Sequence, residues 1–317
     1  MTIFLLSILA GLVLLYIGGE ALIRGSSSLA LRLGLTPLVV GLAVVACGTS
    51  APELVVSVKA AMDNQGAIAI GNVIGSNILN IGLILGVTAL ICPLVVQNQI
   101  LRLDAPIMMA VSLIAWWILS DLDVGRLEGG LLVAGLLAYI SFTVMYAKRM
   151  TPTAEVTAEY AEAVHPSGGS VGRDVLFVLG GLVLLVLGAR FMVDGSVGFA
   201  RLFGVSEAII GLTIVAVGTS LPELVTCVVA ATKNEPDIAL GNVIGSNIFN
   251  LLGILGGAAL VKPMTGGGIQ TTDIFVCIAF ALVLLPIMRT GNRLSRTEGF
   301  LLLAGYVCYI AWIWPKS

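Results

Sequence analysis

Charge is scarce in this sequence of 317 residues: 11% are Asp, Glu, Lys or Arg, while 58% are hydrophobic. A soluble domain carries about 25% charged residues, so a water-facing surface over most of the chain is excluded. Histidine is nearly absent, and the one present, His165, lies in a polar stretch, which leaves a histidine-based catalytic centre without its base. The five cysteines, Cys47, Cys92, Cys227, Cys277 and Cys308, fall in or at the ends of apolar stretches without CxxC or Cys/His spacing. That pattern supports neither a disulfide scaffold nor a zinc site and fits small buried side chains. A net charge of −2 and no basic cluster exclude nucleic acid as a partner.

What the chain does contain is long apolar runs of about 15 to 25 residues, the length of helix that crosses roughly 30 Å of hydrocarbon. Ten are expected: residues 3–23, 38–61, 67–92, 105–120, 129–146, 175–193, 208–231, 238–261, 274–288 and 299–313. The first has no basic flank or small-residue cleavage pattern and matches a segment deep inside the chain, so it is expected to be a retained helix rather than a signal peptide.

The chain is written twice. At a constant offset of 170 residues, Gly11-Leu-Val-Leu-Leu15 meets the same five residues at 181–185, Gly48-Thr49-Ser50 meets Gly218-Thr219-Ser220, Pro52-Glu53 meets Pro222-Glu223, and Gly71 through Ile78 meets Gly241 through Ile248 without a difference. Arg126, Glu128 and Tyr139 match Arg296, Glu298 and Tyr309. Each copy holds five apolar stretches, and an odd number makes the second copy enter the membrane from the other side. The expected fold is an all-α membrane protein of ten transmembrane helices in two inverted five-helix repeats, a transporter architecture. The units are 1–147, a cytoplasmic linker 148–173, and 174–317. With the N-terminus outside, ten of the sixteen basic residues fall on the cytoplasmic side, including Arg24, Arg32, Lys148, Arg149, Arg289 and Arg293, in line with the positive-inside bias.

Glu53 and Glu223 stand inside apolar segments, where an ionised side chain costs about 2.5–3.5 kcal/mol on the insertion scale. Each follows a proline, which removes a backbone donor, so carbonyls in Ala46–Thr49 and Ala216–Thr219 are expected to leave the helical ladder. No basic residue lies in either motif, and Lys59 is matched by Val229, so no symmetric salt bridge neutralises the pair. In the next helix Ser76 and Asn80 are four residues apart, as are Ser246 and Asn250, so each pair shares a helical face. Asn72, Asn77, Asn242 and Asn247 fit either ligation or helix-to-helix contact. Carboxylate, hydroxyl, amide and carbonyl oxygens form a hard ligand set suited to calcium or sodium. With no nucleophile, histidine or cofactor motif beside the glutamates, the chain reads as a transporter and not an enzyme.

At these residues the sequence resembles the sodium/calcium exchanger family of the cation/calcium exchanger superfamily, whose repeats carry Gly-Thr-Ser-x-Pro-Glu and Gly-Ser-Asn-x-x-Asn/Asp. The resemblance covers both halves. It implies broken helices 2, 3, 7 and 8 around a midplane site, with Glu53, Glu223 and the carbonyls of Thr49 and Thr219 on calcium. It further implies the Ala46 and Ala216 carbonyls, Ser76 and Ser246 on sodium, Asn80 and Asn250 beside the centre, and Ser50 and Ser220 as supporting hydroxyls. Relatives that also move potassium have aspartate at the position of Asn250. The implied function is exchange of sodium for calcium by alternating access, with helices 1 and 6 sliding over the rest. The transported ions are its only bound groups, and no cofactor is implied. Membrane lipid is the surrounding partner, a single copy the default unit, and the cell membrane (the inner membrane in a Gram-negative cell) the location. Glu20, Arg190 and Asp194 read as interfacial charges. A proton/calcium antiporter on the same scaffold is the alternative, and a cation channel a more distant one.

Overall fold

The protein is described by a computed structural model covering residues 1–33, 35–149, 170–202, 216–266 and 269–313. The expected stretch 208–231 lies partly, and the linker 148–173 mostly, outside these residues. The helices are α1 (Thr2–Leu33), α2 (Pro37–Thr49), α3 (Ala51–Met62), α4 (Gly66–Ile91), α5 (Ile100–Asp121), α6 (Arg126–Arg149), α7 (Val171–Leu202), α8 (Ala216–Thr219), α9 (Leu221–Thr232), α10 (Pro236–Val261), α11 (Thr271–Asn292) and α12 (Arg296–Ile313). Seven of these, α1, α4, α5, α6, α7, α10 and α11, are long and apolar enough to cross a membrane, and the bent pair α2/α3 makes an eighth.

The surface differs from that of a soluble protein. Leu6, Leu9 and Tyr16 on α1 and Leu127 and Leu131 on α6 are exposed, whereas Ser50, Glu53, Ser57, Asn242, Ser246 and Asn250 are buried within a core that is otherwise largely apolar. An apolar outer surface suits a chain whose solvent is lipid, and the buried polar groups must then find partners inside the protein. No lysine or arginine is among the buried described side chains.

The longest helices, α1 and α7, pack antiparallel on a stripe of glycines. A methyl group on Gly18 would stand 2.8 Å from the Leu185 backbone nitrogen and 2.9 Å from the Gly181 carbonyl oxygen, and one on Gly11 2.8 Å from the Gly188 carbonyl. Small residues let the two backbones touch where no hydrophobic effect drives association. Both helices run about ten residues beyond their apolar stretches, to Leu33 and Leu202.

The expectation of breaks in helices 3 and 8 is corrected by the structure. Both α4 and α10 are continuous, and each carries a π-helical segment instead, Asn80–Leu85 in α4 and Asn250–Ile254 in α10. The two segments begin at equivalent asparagines of the repeat. Neither helix has an interior proline to break it, and one extra residue per turn is absorbed by a π-bulge without ending the helix.

Two short antiparallel strand pairs join the halves: β1 (Leu94–Val95) with β4 (Arg293–Leu294), and β2 (Asp123–Val124) with β3 (Met264–Thr265). Leu94 faces Leu294 and Val124 faces Met264, so positions 170 apart, 94 with 264 and 124 with 294, swap roles between the pairs. The turns before α6 and α12 are closed alike, Gly125 N–H donating to Glu128 Oε2 at 2.9 Å and Ser295 N–H to Glu298 Oε2 at 2.7 Å, a reach-back that occupies a helix-start donor.

Candidate ion-binding centre

The centre is built at the bend between α2 and α3. Thr36 caps α2, its hydroxyl accepting from Val39 N–H at 3.4 Å, and Pro37 occupies the first turn, where a missing N–H costs nothing. At Ser50 the backbone turns to φ −81°, ψ 9°, and α2 and α3 diverge by 46°. Pro52 at the start of α3 cannot donate back to the preceding turn, which is why the helix restarts there. Ser220 repeats this conformation at φ −95°, ψ 9°, with Pro222 in the same place. Glu53 and Glu223 thus fall in the first turn of α3 and α9, where unpaired N–H groups and the helix dipole favour a carboxylate.

The two motifs serve each other. Ser50 Oγ donates to Glu223 Oε1 at 2.9 Å, and Ser220 Oγ donates to Glu53 Oε1 at 3.0 Å. Ser50 Oγ also lies 3.1 Å from Ser246 Oγ, and since Ser50 has one proton, the Ser246 hydroxyl donates to it when Ser50 serves Glu223. Both glutamates are only 2% exposed. Their second oxygens, Glu53 Oε2 and Glu223 Oε2, find no hydrogen-bond partner among the described residues, nor do the amide oxygens of Asn80 and Asn250. Buried oxygens left in that condition are costly unless a cation meets them. The donor set is all oxygen, as a hard cation substrate requires.

The remaining expected residues fall as follows. Thr49 is buried and donates to Asn242 Oδ1 at 3.1 Å, tying α2 to α10. The Ala46 carbonyl stays in the ladder, accepting Ser50 N–H at 3.1 Å, whereas on the other side Ser220 N–H goes to Val217 O at 3.2 Å. Ser76 is buried on α4 and lines, with Gly71, Asn72, Gly75 and Thr219, a cavity of about 480 Å³. Asn80 and Asn250 open the π segments, and their amide oxygens hydrogen-bond to neither glutamate.

Sequence reasoning leaves the other asparagines open, and the structure separates them. Asn77 and Asn247 donate to carbonyls of their own helices, Val73 at 2.9 Å and Val243 at 2.7 Å. Asn72 Nδ2 instead reaches Glu53 O at 3.2 Å and Ser57 Oγ at 2.9 Å, and Asn242 Nδ2 reaches Cys227 Sγ at 3.3 Å. Ser57 and Cys227, one turn past each glutamate, escape the sequence reading as members of the site, though the 170-residue offset pairs them. Two matching ties escape it as well, Tyr139 to Asp104 at 3.4 Å and Tyr309 to Asp273 at 3.0 Å.

On α10, a methyl on Gly241 would stand 2.8 Å from the Leu38 carbonyl oxygen, so α2 lies directly against that helix.

The chain as a whole is similar to known proteins. A family model described as sodium/calcium exchanger protein matches residues 3–146 and 174–314. The chain is 38% identical over 306 residues to the putative antiporter CaxA of Alkalimonas amylolytica, covering 95% of this chain and 96% of that protein. It is 34% identical to the sodium/calcium exchanger MaX1 of Methanosarcina acetivorans, covering 98% of each. Among solved structures, the sodium-calcium exchanger NCX_Mj soaked with zero Na+ and Ca2+ superimposes with a TM-score of 0.86 at 31% identity, over 98% of this chain and 99% of the other.

Proposed function

The chain belongs to the sodium/calcium exchanger protein family, and from that premise we propose that it exchanges sodium for calcium across the cell membrane by alternating access. As a member it is a multi-pass membrane antiporter of cations. The finer reading is that Glu53 and Glu223 bind calcium together with the carbonyls of Thr49 and Thr219. Sodium then uses Ser76, Ser246 and the carbonyls of Ala46 and Ala216, with Asn80 and Asn250 beside them. The observation that carries it is the pair of buried carboxylates whose outer oxygens lack any donor among the described residues. Two negative charges match one divalent ion or are shared by monovalent ions, so competition for one centre couples the fluxes.

The same reading takes the fold as ten spans in two inverted repeats, 1–147 and 174–317, joined by a cytoplasmic linker over 148–173. It is supported by the antiparallel packing of the equivalent helices α1 and α7 and by the exchanged strand pairs. The working unit is a single copy in lipid.

The test is radioactive calcium uptake into proteoliposomes loaded with sodium and diluted into sodium-free buffer, with lithium, choline and an imposed proton gradient as comparisons. Sodium-specific uptake is expected. Uptake driven only by protons overturns sodium as the coupling ion, and no uptake under any gradient overturns calcium as the substrate.

The crossed serines give a further expectation. A hydrogen bond to a charged group contributes about 1.5–3 kcal/mol, so Ser50→Ala and Ser220→Ala should each weaken calcium binding roughly ten- to hundredfold. Calorimetric titration of the purified variants measures this. Unchanged affinity in both would remove the serines from the site.

A further inference from the structure

Away from the centre, the C-terminal part of α1 meets the turn between α9 and α10. Ser27 Oγ donates to Glu235 Oε1 at 3.1 Å, and Lys233 Nζ pairs with Glu20 Oε1 at 2.5 Å. Glu235 is 7% exposed, and its Oε2 has no hydrogen-bond partner among the described residues. Two residues on, Asp237 is buried as well and accepts from Gln97 Nε2 at 2.5 Å.

The serine and the two buried carboxylates have no counterpart in the other half, and the positions of the ion pair return only with their charges exchanged. At the 170-residue offset Ser27 becomes Val197, Glu235 becomes Gln65, Asp237 becomes Ala67, and the Glu20/Lys233 pair becomes Arg190/Asp63. Asp63 pairs with Lys59, four residues before it, at 3.1 Å, and Gln65 is exposed. A repeat otherwise matched at its motifs therefore differs in the contact between its first helix and the turn that follows the glutamate helix.

We propose that Glu235 is a second ion-binding position, taking a single proton, and that its protonation clamps α1 to the α9–α10 turn. Of the elements meeting there, α10 brings the carboxylate of Asp237, while Lys233 is engaged by Glu20 and Arg32 of α1 by Asp174 of α7 at 2.5 Å. Gln97, in the segment after β1, is neutral. Burial first, and the neighbouring charge of Asp237, push the Glu235 carboxyl up to about 7, against which the Ser27 hydrogen bond pulls down. A carboxylate buried beside another is favoured in its neutral form. The conformation in which Glu235 is buried thus binds the proton more tightly than one in which it meets water. Raising the pH from the ordinary carboxylate range through about 7 weakens that conformation, and acid strengthens it. Insofar as the chain is an exchanger in which α1 moves, a proton here slows exchange from one side of the membrane only.

The experiment compares the full-length wild type with Glu235→Gln, which is neutral at every pH. In detergent, the melting temperature of the wild type relative to the variant should fall as pH rises from about 4.5 to about 7 and stay level above. In proteoliposomes, the sodium-driven calcium uptake rate of the wild type divided by that of Glu235→Gln should rise about threefold between roughly pH 5.5 and 8, a small part of what the linked equilibrium allows. Taking the ratio cancels titration of the central glutamates. Ser27→Val, the residue of the other half, should raise uptake at the acid end of that range. A flat melting difference overturns the proton site, and a pH-dependent melting difference with a flat uptake ratio overturns the clamp. If the wild type moves no calcium, the exchanger reading fails while the melting comparison still tests the proton site.

Discussion

Replacing either central carboxylate by its amide, Glu53→Gln or Glu223→Gln, is expected to abolish calcium exchange while leaving folded protein in the membrane. The substitution keeps the shape, and the amide oxygen still accepts the hydrogen bond that Ser220 or Ser50 donates. What disappears is one of two buried charges. Truncating one partner of a buried charged pair costs about 2–5 kcal/mol, roughly thirtyfold to several-thousandfold in affinity. Each variant also leaves the remaining carboxylate alone opposite a divalent ion, so the two single variants should be similarly impaired. Uptake assays on protein whose elution from size-exclusion chromatography matches the wild type distinguish this from misfolding. Full calcium flux in either variant would remove the glutamates from the centre.

The second large effect is expected at Gly245, one residue before Ser246. A methyl there would collide with the Leu42 carbonyl oxygen and stand 2.8 Å from the Ala46 Cβ. Leu42 and Ala46 belong to α2, whose end carries Thr49 and leads into Ser50. Gly245→Val therefore forces α2 off α10, breaks the Ser50–Ser246 and Thr49–Asn242 contacts, and disturbs both glutamates' surroundings at once. Overpacking of this kind costs about 1–3 kcal/mol, and the loss of site geometry should reduce exchange further than the stability change. Gly130→Ala is the control, since its nearest described atom, Leu260 Cδ2, lies at an ordinary 3.8 Å. Thermal unfolding and calcium uptake measured on both variants should separate them clearly; equal behaviour would contradict the close packing of α2 on α10.

The centre's composition is legible because the offset of 170 residues is constant across it: Thr49, Ser50, Pro52 and Glu53 each name their counterpart directly. The offset identifies equivalents, however, not neighbours. That Ser50 serves Glu223 rather than Glu53 depends on how the halves face each other, which periodicity does not encode. The π segments at Asn80 and Asn250 have no local signature either, since no proline or special backbone angle marks them. The Asp104/Asp273 pair is hidden by a one-residue shift, being 169 apart while Tyr139 and Tyr309 are 170 apart. Glu235 sits in a polar turn, where sequence alone reads a solvated charge; only the packing of α1 over that turn buries it.

The crossed hydrogen bonds and the exchanged strands share a consequence. A chain consisting of one half alone would hold a glutamate whose serine resides on another molecule and two strands with no mates, so it would be a subunit rather than a carrier. Duplication and fusion into one polypeptide fix the stoichiometry of that pairing and free each copy to diverge, as Ser27 and Val197 have done, which two identical subunits never could.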